Sequence, residues 1–454
     1  MTTPPNVQLR YEVQQYFKVS QACGVLEQTT AVRIEIAVEP VEILNWFRIQ
    51  RITAKFYWAD RITSCETAGI GTADVLTGDD ITDCAPIFSR IVHLTDRRIR
   101  YYGGVRFGKM ESYDETWESV DAVRFVLPRF ELHSGNGATM FACNFIWHPC
   151  DDTNALCQQL CSELDAIIFQ AENDPTSLPS AIHRTDAPGQ EEWCGNIDIA
   201  KDILNSTELD KIVLARKTTL TCSGPLNPGD VLIRLRASVR NCFLFCFQFG
   251  SEHAFVGASP ELLYSRDSNN IYCEAIAGTR HRGVSAEDDI TLGNELLNSD
   301  KDRYEHRLVM DDIEDTLRLL CSTYKADPEV TLLKLPRLQH LYAKYEGLLN
   351  DNVSDAFILE CLHPTPAVGS SPKREYERLH DHLEPFDRGW YAGPIGWIGS
   401  EGAIFAVGIR SALVKDRQIS LFSGAGIVAD SDGHHEWEEI EHKICHFRDI
   451  ILGS

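Results

Sequence analysis

The sequence predicts a protein of mixed strands and helices, because it contains two different spacings of apolar residues. Apolar and polar side chains alternate over residues 32–38, which is typical of a strand, and residues 1–150 as a whole look mainly like strands. Apolar residues recur at helical spacing over 151–170, over 300–320 and from about His434. Length alone would allow two or three domains.

Two β-hairpins are expected, one in each half of the chain. Residues 51–58 are followed by a turn and by a second strand-like segment that ends at Gly71. Residues 243–249 are likewise followed by a turn and a returning strand, which indicates two similar sheet halves in one domain. A further strand is expected in part of 91–101. The segment 171–190, rich in Pro, Asp, Thr and Ser, is predicted to be a connector.

The composition is that of an ordinary globular protein, with 43% hydrophobic and 24% charged residues. The formal net charge of −24 argues against nucleic acid or an anionic membrane as a partner. A small anionic substrate stays possible, since a site can be locally basic. No apolar run approaches the roughly 20 residues of a membrane span, and the N-terminus has no signal-peptide pattern.

The chain has 15 cysteines, but they are scattered. The closest pairs, Cys157/Cys161 and Cys242/Cys246, are both spaced C-x3-C, and there is no C-x2-C pair. A structural zinc site is therefore not expected. We expect reduced thiols in a cytoplasmic protein, most of them small core residues.

A glycine turn near the C-terminus leads into a helix with charged groups along one side. The helix would bury an apolar stripe made of Trp437, Ile440, Ile444, Phe447 and Ile451. Glu436, Glu439 and Lys443 form a row along one edge of this stripe, whereas Glu438 and Glu441 point away. A carboxylate at the edge of a buried face is costly without a partner. The pattern therefore indicates a site for a metal and an anion.

The helix predicted over 300–320 carries two more acids near its start. Glu305 lies one turn before Val309, on the buried face, and Asp302 lies three residues earlier. Acidic residues at a helix start are also favoured by the helix dipole, so that simpler explanation stays open. Glu305 and Glu439, on separate helices, would suit Mg2+, which takes few protein carboxylates and keeps several waters.

Other candidate groups stand at strand ends and turns. Lys211 opens an apolar strand, where it is either a solvated strand end or a base with a lowered pKa. Glu261 follows a turn, and Arg410 ends an apolar strand, where it could hold a carboxylate bidentately or form a surface ion pair. The glycine turns at Gly278 and at 424–426 have amides that could bind carboxylates.

Two competing motifs fail on their context. Residues 424–429 match the dinucleotide pattern G-x-G-x-x-A, but no second strand with an acidic ribose ligand follows them. His435 and Glu436 look like part of a zinc protease helix, but the second histidine is missing.

A series of segments in a fixed order resembles the chorismate-utilising enzymes, which include isochorismate, salicylate, anthranilate and aminodeoxychorismate synthases. The segments are Lys211-Ile-Val-Leu-Ala-Arg, Gly257-Ala-Ser-Pro-Glu, Ala277-Gly-Thr-Arg, Asp302-x-x-Glu-His, Gln339-His-Leu, His363-Pro-Thr-Pro-Ala-Val-Gly, Tyr391-Ala-Gly, Gly408-Ile-Arg, Gly424-Ala-Gly-Ile-Val and Glu436-Trp-x-Glu-x-x-x-Lys. The resemblance is strong over about 195–454, whereas the first 190 residues match only in style.

The resemblance implies an α+β fold, similar to anthranilate synthase component I. It is a single large domain in which two mostly antiparallel β-sheets pack as a sandwich with helices outside. Residues 1–190 would form the N-terminal part of the sheet framework. Residues 191–454 would form the chorismate-binding catalytic part.

The resemblance also implies a substrate, a metal and roles for individual residues. The substrate would be chorismate, a dicarboxylate, with Mg2+ on its ring carboxylate. Glu305 and Glu439 resemble the direct Mg2+ ligands, and Asp302 and Glu436 resemble the acids that hold metal-bound waters. The residues that resemble carboxylate contacts are Gly278, Thr279, Tyr391, Arg410, Gly424, Gly426 and Lys443. His340 resembles a site histidine whose role varies across the family.

Lys211 decides the branch of the family. In water-using members this position is lysine, which activates the nucleophilic water, whereas ammonia-using anthranilate synthases have another residue there. No obligatory glutaminase partner is therefore expected, and the protein would be a monomer or weak homo-oligomer. Glu261 would protonate the leaving 4-hydroxyl. The site should lower the pKa of Lys211 and raise that of Glu261.

Ala367, in the loop expected to face the substrate, resembles the isochorismate synthase version, since lyase-competent members tend to carry Thr near there. The loop departs from the commoner Val-Gly-Gly-x-Pro pattern, because the chain has Val368-Gly-Ser-Ser-Pro. Isochorismate synthase of the menaquinone or phylloquinone type is thus the leading expectation. The alternatives are salicylate synthase, an ammonia-using synthase and an inactive chorismate-binding protein.

Overall fold

The computed structural model describes residues 3–23, 28–94, 97–108, 115–135, 137–170, 177–251, 253–335, 338–373 and 383–452. Strands and helices alternate in the first part of the chain. They are α1 (Pro5–Cys23), β1 (Thr30–Val38), α2 (Ile43–Ile49), β2 (Lys55–Ala59), β3 (Glu66–Gly78), a 3-10 helix (Ile81–Asp83), α3 (Cys84–Leu94), β4 (Tyr101–Val105), β5 (Val123–Gly135), β6 (Ala138–Trp147), α4 (Thr153–Asp165) and β7 (Ala181–Ala187).

The second part of the chain also mixes strands and helices. Its elements are α5 (Gln190–Ser206), β8 (Lys211–Cys222), α6 (Pro228–Ser238), β9 (Phe243–Gln248), β10 (His253–Ser259), β11 (Leu262–Asp267), β12 (Asn270–His281), α7 (Ala286–Asn298), α8 (Asp300–Leu320), β13 (Cys321–Ala326), β14 (Thr331–Lys334), β15 (Leu338–Leu349), α9 (Asp355–Leu362), β16 (Ser370–Ser371), β17 (Pro394–Ile398), β18 (Gly402–Val407), β19 (Ser411–Lys415), β20 (Gln418–Ile427) and α10 (Gly433–Leu452).

Several predicted elements are confirmed. The strand at 32–38 is β1, the two hairpins are β2–β3 and β9–β10, and the predicted helices are α4, α8 and α10. Helix α10 buries Ile440, Ile444, Phe447 and Ile451 as expected, and Trp437 packs partly buried against the core.

Other parts of the prediction are wrong. Residues 1–150 contain α1, α2 and α3, and α3 occupies the beginning of the strand expected in 91–101. The helical spacing was there: Leu9, Val13 and Phe17 recur every four residues and are all buried. The predicted connector 171–190 contains β7, whose middle residues are exposed, so an edge strand there has the polar composition of a loop. Residues 171–176 lie outside the described ranges.

Two antiparallel sheets share the long strands β3 and β5, each of 13 residues. The first sheet has the order β1-β6-β5-β3-β2-β9-β10-β19-β20-β8-β7, with β16 also on β8. The second has the order β3-β5-β4-β17-β18-β11-β12-β15, with β13 and β14 both on β15. One edge of β5 pairs first with β4 and then, after Pro128, with β6.

Apolar side chains on the two faces of the first sheet belong to two different cores. In β2, Phe56 and Trp58 point into the core between the sheets, which continues under α3, α5, α8 and α9. Tyr57 points the other way, into the core that α1, α2, α4 and α6 cover together with most of the buried face of α10. This alternation is what a strand buried on both faces requires, and it confirms the sandwich with helices outside.

Strands from both sides of residue 190 alternate in the sheets. β2 pairs with β9, β4 with β17 and β7 with β8. The chain therefore forms one structural domain, as expected. In the described ranges, no helix combines the length and the apolarity that crossing a bilayer would require. The 14 cysteines from Cys65 to Cys445 are free thiols.

At Gly103 the backbones of β4 and β5 approach so closely that any side chain there should lower the stability of the protein. In β4, a Cβ on Gly103 would lie 1.8 Å from the carbonyl oxygen of Arg124. We expect Gly103→Ala to destabilise the protein by about 2 kcal/mol or more, measured by urea unfolding, because backbone must move. The control is Gly195→Ala in α5, where a Cβ would meet nothing within 4 Å. This variant should gain about 0.5–1 kcal/mol from helix propensity. Equal stabilities of the two variants would contradict the packing argument.

Candidate active site

A cleft of about 260 Å³ opens between the two sheets, beside the first turns of α8 and α10. Of the residues predicted from the sequence, all except Lys211 line this cleft. The lining members are Glu261, Gly278, Thr279, Asp302, Glu305, His340, Ala367, Tyr391, Arg410, Gly424, Gly426, Glu436, Glu439 and Lys443. The sequence motifs, spread over more than 230 residues, therefore converge on one place.

Lys211 lies directly behind the lining and bonds to Glu305. Its side chain is 1% exposed, and its Nζ lies 2.6 Å from Glu305 Oε1. Gly426 in β20 leaves the space for this pair. A Cβ at position 426 would lie 2.5 Å from Lys211 Cε and 2.9 Å from Glu305 Oε1. The glycine is therefore required for room, and the simple picture of Lys211 as a solvated strand end is wrong.

The predicted row of charges on α10 faces the cleft. Lys443 Nζ lies 2.6 Å from Glu439 Oε1 and donates a hydrogen bond to the Gly424 carbonyl at 2.8 Å. Burial alone would raise the pKa of Glu439, but Lys443 holds that pKa below its usual value. Glu436 accepts a hydrogen bond from Ser431 Oγ at 2.8 Å. Burial, reinforced by the charge of Glu439, raises the pKa of Glu436.

Asp302 lies in the first turn of α8, which Ser299 caps. The Nη2 atom of Arg280 lies 2.7 Å from Asp302 Oδ2, and the more distant Lys301 lies 3.7 Å from Glu436. Four of the five acids that line the cleft, all except Glu261, thus each have a basic neighbour. This arrangement neutralises a cluster of carboxylates that burial would otherwise penalise.

Glu305 and Glu439 are the residues that could hold a metal. In the described part of the chain no three His, Cys, Asp or Glu side chains converge as a ready-made ligand set. Two carboxylates on separate helices, with Asp302 and Glu436 behind them, are oxygen donors only. Such a donor set fits a hard cation that keeps waters and takes substrate oxygens. The side-chain-free Gly426 beside Glu305 adds room for it.

His340 lines the cleft and is held through one ring nitrogen. Its Nδ1 lies 3.1 Å from Thr279 Oγ1 and 3.2 Å from the Gly278 carbonyl oxygen. Its Nε2 is buried and has no hydrogen-bond partner in the described residues. Burial, helped by the nearby Arg410, lowers the pKa of His340 to about 3. The ring is therefore neutral at physiological pH.

Glu261 follows β10 and is only 5% exposed. Its backbone N–H donates to Ser259 Oγ at 3.2 Å, but its carboxyl group has no hydrogen-bond partner among the described residues. Burial raises the pKa of Glu261 to about 7, although the positive charge of Lys211 opposes the shift. A carboxyl group that keeps its proton near neutral pH can act as an acid, as predicted from the sequence.

Arg410 follows β18 and lines the cleft with a strained backbone, at a φ of 51°. Such left-handed backbone in a non-glycine residue is uncommon, and it is often kept where a side chain must be aimed. No carboxylate of the described residues forms an ion pair with Arg410, so the alternative of a surface ion pair is wrong. Burial lowers the pKa of its guanidinium group. The geometry fits a cation that awaits an anionic ligand.

The remaining predicted contacts come from turns and from one aromatic ring. Tyr391 stacks on Phe422, with ring centroids 5.4 Å apart, and its hydroxyl would lie 3.1 Å from a Cβ on Gly424. Gly278 has a φ of 67°, which favours glycine. Ala367 and Val368 line the cleft as well.

Sequence reasoning missed the supports of the cleft. Arg388, which is 1% exposed, donates to the carbonyl oxygens of Val368 and Val213, and pairs with Glu384. Arg216, fully buried, binds Glu441 at 2.6 Å and covers the ring of Trp437. Glu441 thus points away from the cleft, as predicted, but it ties α10 to β8. The spacing of Arg216 and Glu441, 225 residues apart, gives no local signal.

Comparison with known proteins agrees with this geometry. Residues 18–452 match the family model described as chorismate binding enzyme. Isochorismate synthase MenF of Bacillus subtilis is 33% identical over 90% of each chain. MenF of Haemophilus influenzae is 30% identical over 93% of each. The chloroplastic isochorismate synthase of Catharanthus roseus is 32% identical, and the match spans 78% of this chain and 62% of the plant protein.

Solved structures share the fold. The menaquinone-specific isochorismate synthase MenF of Escherichia coli superposes with a TM-score of 0.86, at 25% identity, over 99% of this chain and all of that one. Anthranilate synthase component I of Streptococcus pneumoniae superposes with a TM-score of 0.69 at 20% identity, which speaks for the fold alone. From its sequence match and its relatives, the chain belongs to the chorismate-binding enzyme family.

Proposed function

We propose that the protein is an isochorismate synthase, an isomerase that converts chorismate to isochorismate with Mg2+. Water would add at C2 of the ring, and the C4 hydroxyl would leave. The relatives that match most of this chain support this activity. The observation that carries it is a buried lysine, Lys211, directly behind a cleft that a buried acid, Glu261, lines, with no hydrogen-bond partner for the Glu261 carboxyl group among the described residues.

In this mechanism Lys211 Nζ takes a proton from the attacking water as its oxygen bonds to C2. The ring double bonds shift, and the bond between C4 and its hydroxyl breaks. Glu261 donates its proton to the departing oxygen, which leaves as water. One water is consumed and one is released, so the reaction is an isomerisation. Solvent then returns a proton to Glu261 and removes one from Lys211.

The two carboxylates of chorismate need cationic side chains and backbone amides to bind them. Arg410, which has no ion pair within the described residues, would bind one of them bidentately, with Lys443 and the Tyr391 hydroxyl as further donors. The turns at Gly278–Thr279 and Gly424–Gly426 would bring backbone close to the same oxygens. His340 Nε2, which has no hydrogen-bond partner among the described residues, would bond to a ring hydroxyl.

Glu305 and Glu439 would hold Mg2+, with Asp302 and Glu436 orienting its waters. When bound, the ion would draw electron density toward the C1 carboxylate and so favour the shift of the double bonds. The protein's own part is to keep the two ligands on separate helices, where the substrate can complete the coordination.

Further expectations join this proposal. The MenF relatives favour a role in menaquinone biosynthesis. The lining residues all come from 191–454, which supports that part as the catalytic one and residues 1–190 as framework. The many free thiols support a reducing, cytoplasmic location. Lys211 supports a water-using enzyme without a glutaminase partner, acting as a monomer or weak homo-oligomer.

The direct test is a product assay. Purified protein with chorismate and Mg2+ should form isochorismate without pyruvate, and chelation of the metal should stop the reaction. Product separation with pyruvate detection measures both. Stoichiometric pyruvate would make the protein a salicylate synthase, ammonia-dependent aminochorismate would make it an ammonia-using synthase, and no Mg2+-dependent loss of chorismate would make it an inactive binding protein.

Loss of the base should abolish turnover but keep binding. We expect Lys211→Ala to lower kcat by about 10²–10⁴-fold, because the water loses its proton acceptor. Affinity for chorismate, measured by calorimetry, should change far less. The control is Lys325→Ala, an exposed lysine of β13 paired with Glu346, which should leave kcat unchanged. A Lys211→Ala enzyme with normal kcat would refute this role.

Glu261 should impose a pH limit. Only its protonated form can donate, so kcat should fall about tenfold per pH unit above its pKa of about 7. Glu261→Gln should remove most of the activity at every pH. Because the folded pKa is raised, the stability contributed by the neutral carboxyl is fully present below the unfolded pKa and is lost as pH rises through about 7. Glu261→Gln should therefore melt higher than the natural protein at pH 8.5 but not at pH 4. A flat pH profile above 7 would count against the assignment.

A further inference from the structure

Two lysines already occupy oxygens of the acids that are proposed to bind the cation. Lys211 Nζ lies 2.6 Å from Glu305 Oε1, and Lys443 Nζ lies 2.6 Å from Glu439 Oε1. Both distances are those of charge-assisted hydrogen bonds. The two lysines come from different elements, β8 and α10, so the arrangement is repeated independently on each side of the cleft.

Neither lysine is loosely held. Lys211 is 1% exposed, and its side chain passes through the space that Gly426 leaves. The side chain of Lys443 is 21% exposed and is fixed a second time by the Gly424 carbonyl. The Lys211 pair is thus largely withdrawn from water and interacts more strongly than a surface pair, whereas the Lys443 pair is partly open, since the Glu439 side chain is 41% exposed.

A hard divalent cation seeks the same atoms. Carboxylate oxygens are its preferred protein ligands, and an ammonium group within about 3 Å of such an oxygen repels a second positive charge. Lys211 and Lys443 are also the groups that the proposed reaction needs elsewhere, one at the attacking water and the other at a substrate carboxylate.

We infer that Lys211 and Lys443 compete with the divalent cation for Glu305 and Glu439, so that cation binding releases both lysines toward the substrate. The inference rests on the proposed function. A substrate carboxylate that draws Lys443 away in turn leaves Glu439 open to the cation. The two ligands therefore strengthen each other's binding by the same factor, and each binds weakly alone.

The chain offers a matched control in the same cleft. Lys301 also pairs with a cleft acid, but at 3.7 Å, with a side chain 56% exposed, and its partner is Glu436, which is not a proposed direct ligand. An exposed pair at that distance is largely screened by water and salt. Removing Lys301 deletes the same charge near the cleft without uncovering a ligand oxygen.

The experiment is calorimetric titration of MgCl2 alone into the full-length natural protein and into Lys211→Met, Lys443→Met and Lys301→Met. Removing either competing lysine should tighten Mg2+ binding by about tenfold or more. Lys301→Met should change it by less than about twofold. Circular dichroism checks folding, and Lys211→Gln and Lys443→Gln replace any methionine variant that fails to fold.

The outcomes distinguish a failure of this inference from a failure of the proposed function. If the Lys211 and Lys443 variants bind Mg2+ no more tightly than the natural protein, or if Lys301→Met gains as much, the competition is refuted. The natural protein would then still bind Mg2+ in the presence of chorismate. If no protein binds Mg2+ even with chorismate present, the Mg2+-dependent function itself fails, and the inference fails with it.

Discussion

The buried ion pair between Arg216 and Glu441 is the interaction on which the site depends. Arg216 is fully buried in β8, so its charge needs a partner inside the protein, and Glu441 on α10 is that partner. The guanidinium group also covers Trp437, one turn before Glu441. These contacts fix the rotation of α10 about its axis. Since Glu436, Glu439 and Lys443 project from another side of the same helix, that rotation decides whether they reach the cleft.

The same strand carries Lys211, the proposed base. β8 begins at Lys211 and reaches Arg216 five residues later, so one strand carries both the lysine of the cleft and the arginine that anchors the opposite helix. β20 pairs with it along its whole length and brings Gly424 and Gly426 alongside. A shift of register between these two strands would put a side chain where Lys211 and Glu305 meet. The chemistry thus rests on backbone pairing as much as on side chains.

Much of the site was predictable, because its residues stand in short motifs whose chemistry is legible. Spacing alone assigns Glu436, Glu439 and Lys443 to one edge of a helix. In the structure all three side chains line the same cleft. The pairing of Lys211 with Glu305 was not predictable, since 94 residues separate them. No local sequence pattern links the start of a strand to the start of a distant helix. Helices α1 and α3 were missed for another reason: alternating segments elsewhere in residues 1–150 favoured strands, although Leu9, Val13 and Phe17 recur at helical spacing. β7 was missed because an exposed edge strand has the composition of a loop.

The alternation of early and late strands in the sheets has a consequence during synthesis. β2 finds its partner β9 only after about 190 further residues, and β8 is completed by β20 near residue 427. Sheets built from such distant pairs close slowly, because a long loop must be ordered before any contact rewards it. While the chain leaves the ribosome, the unpaired edges of β2, β4 and β8 stay exposed to pairing with other chains. The architecture that lets one cleft collect residues from the whole second half thus also leaves strands of the nascent chain without their partners until β20 has emerged.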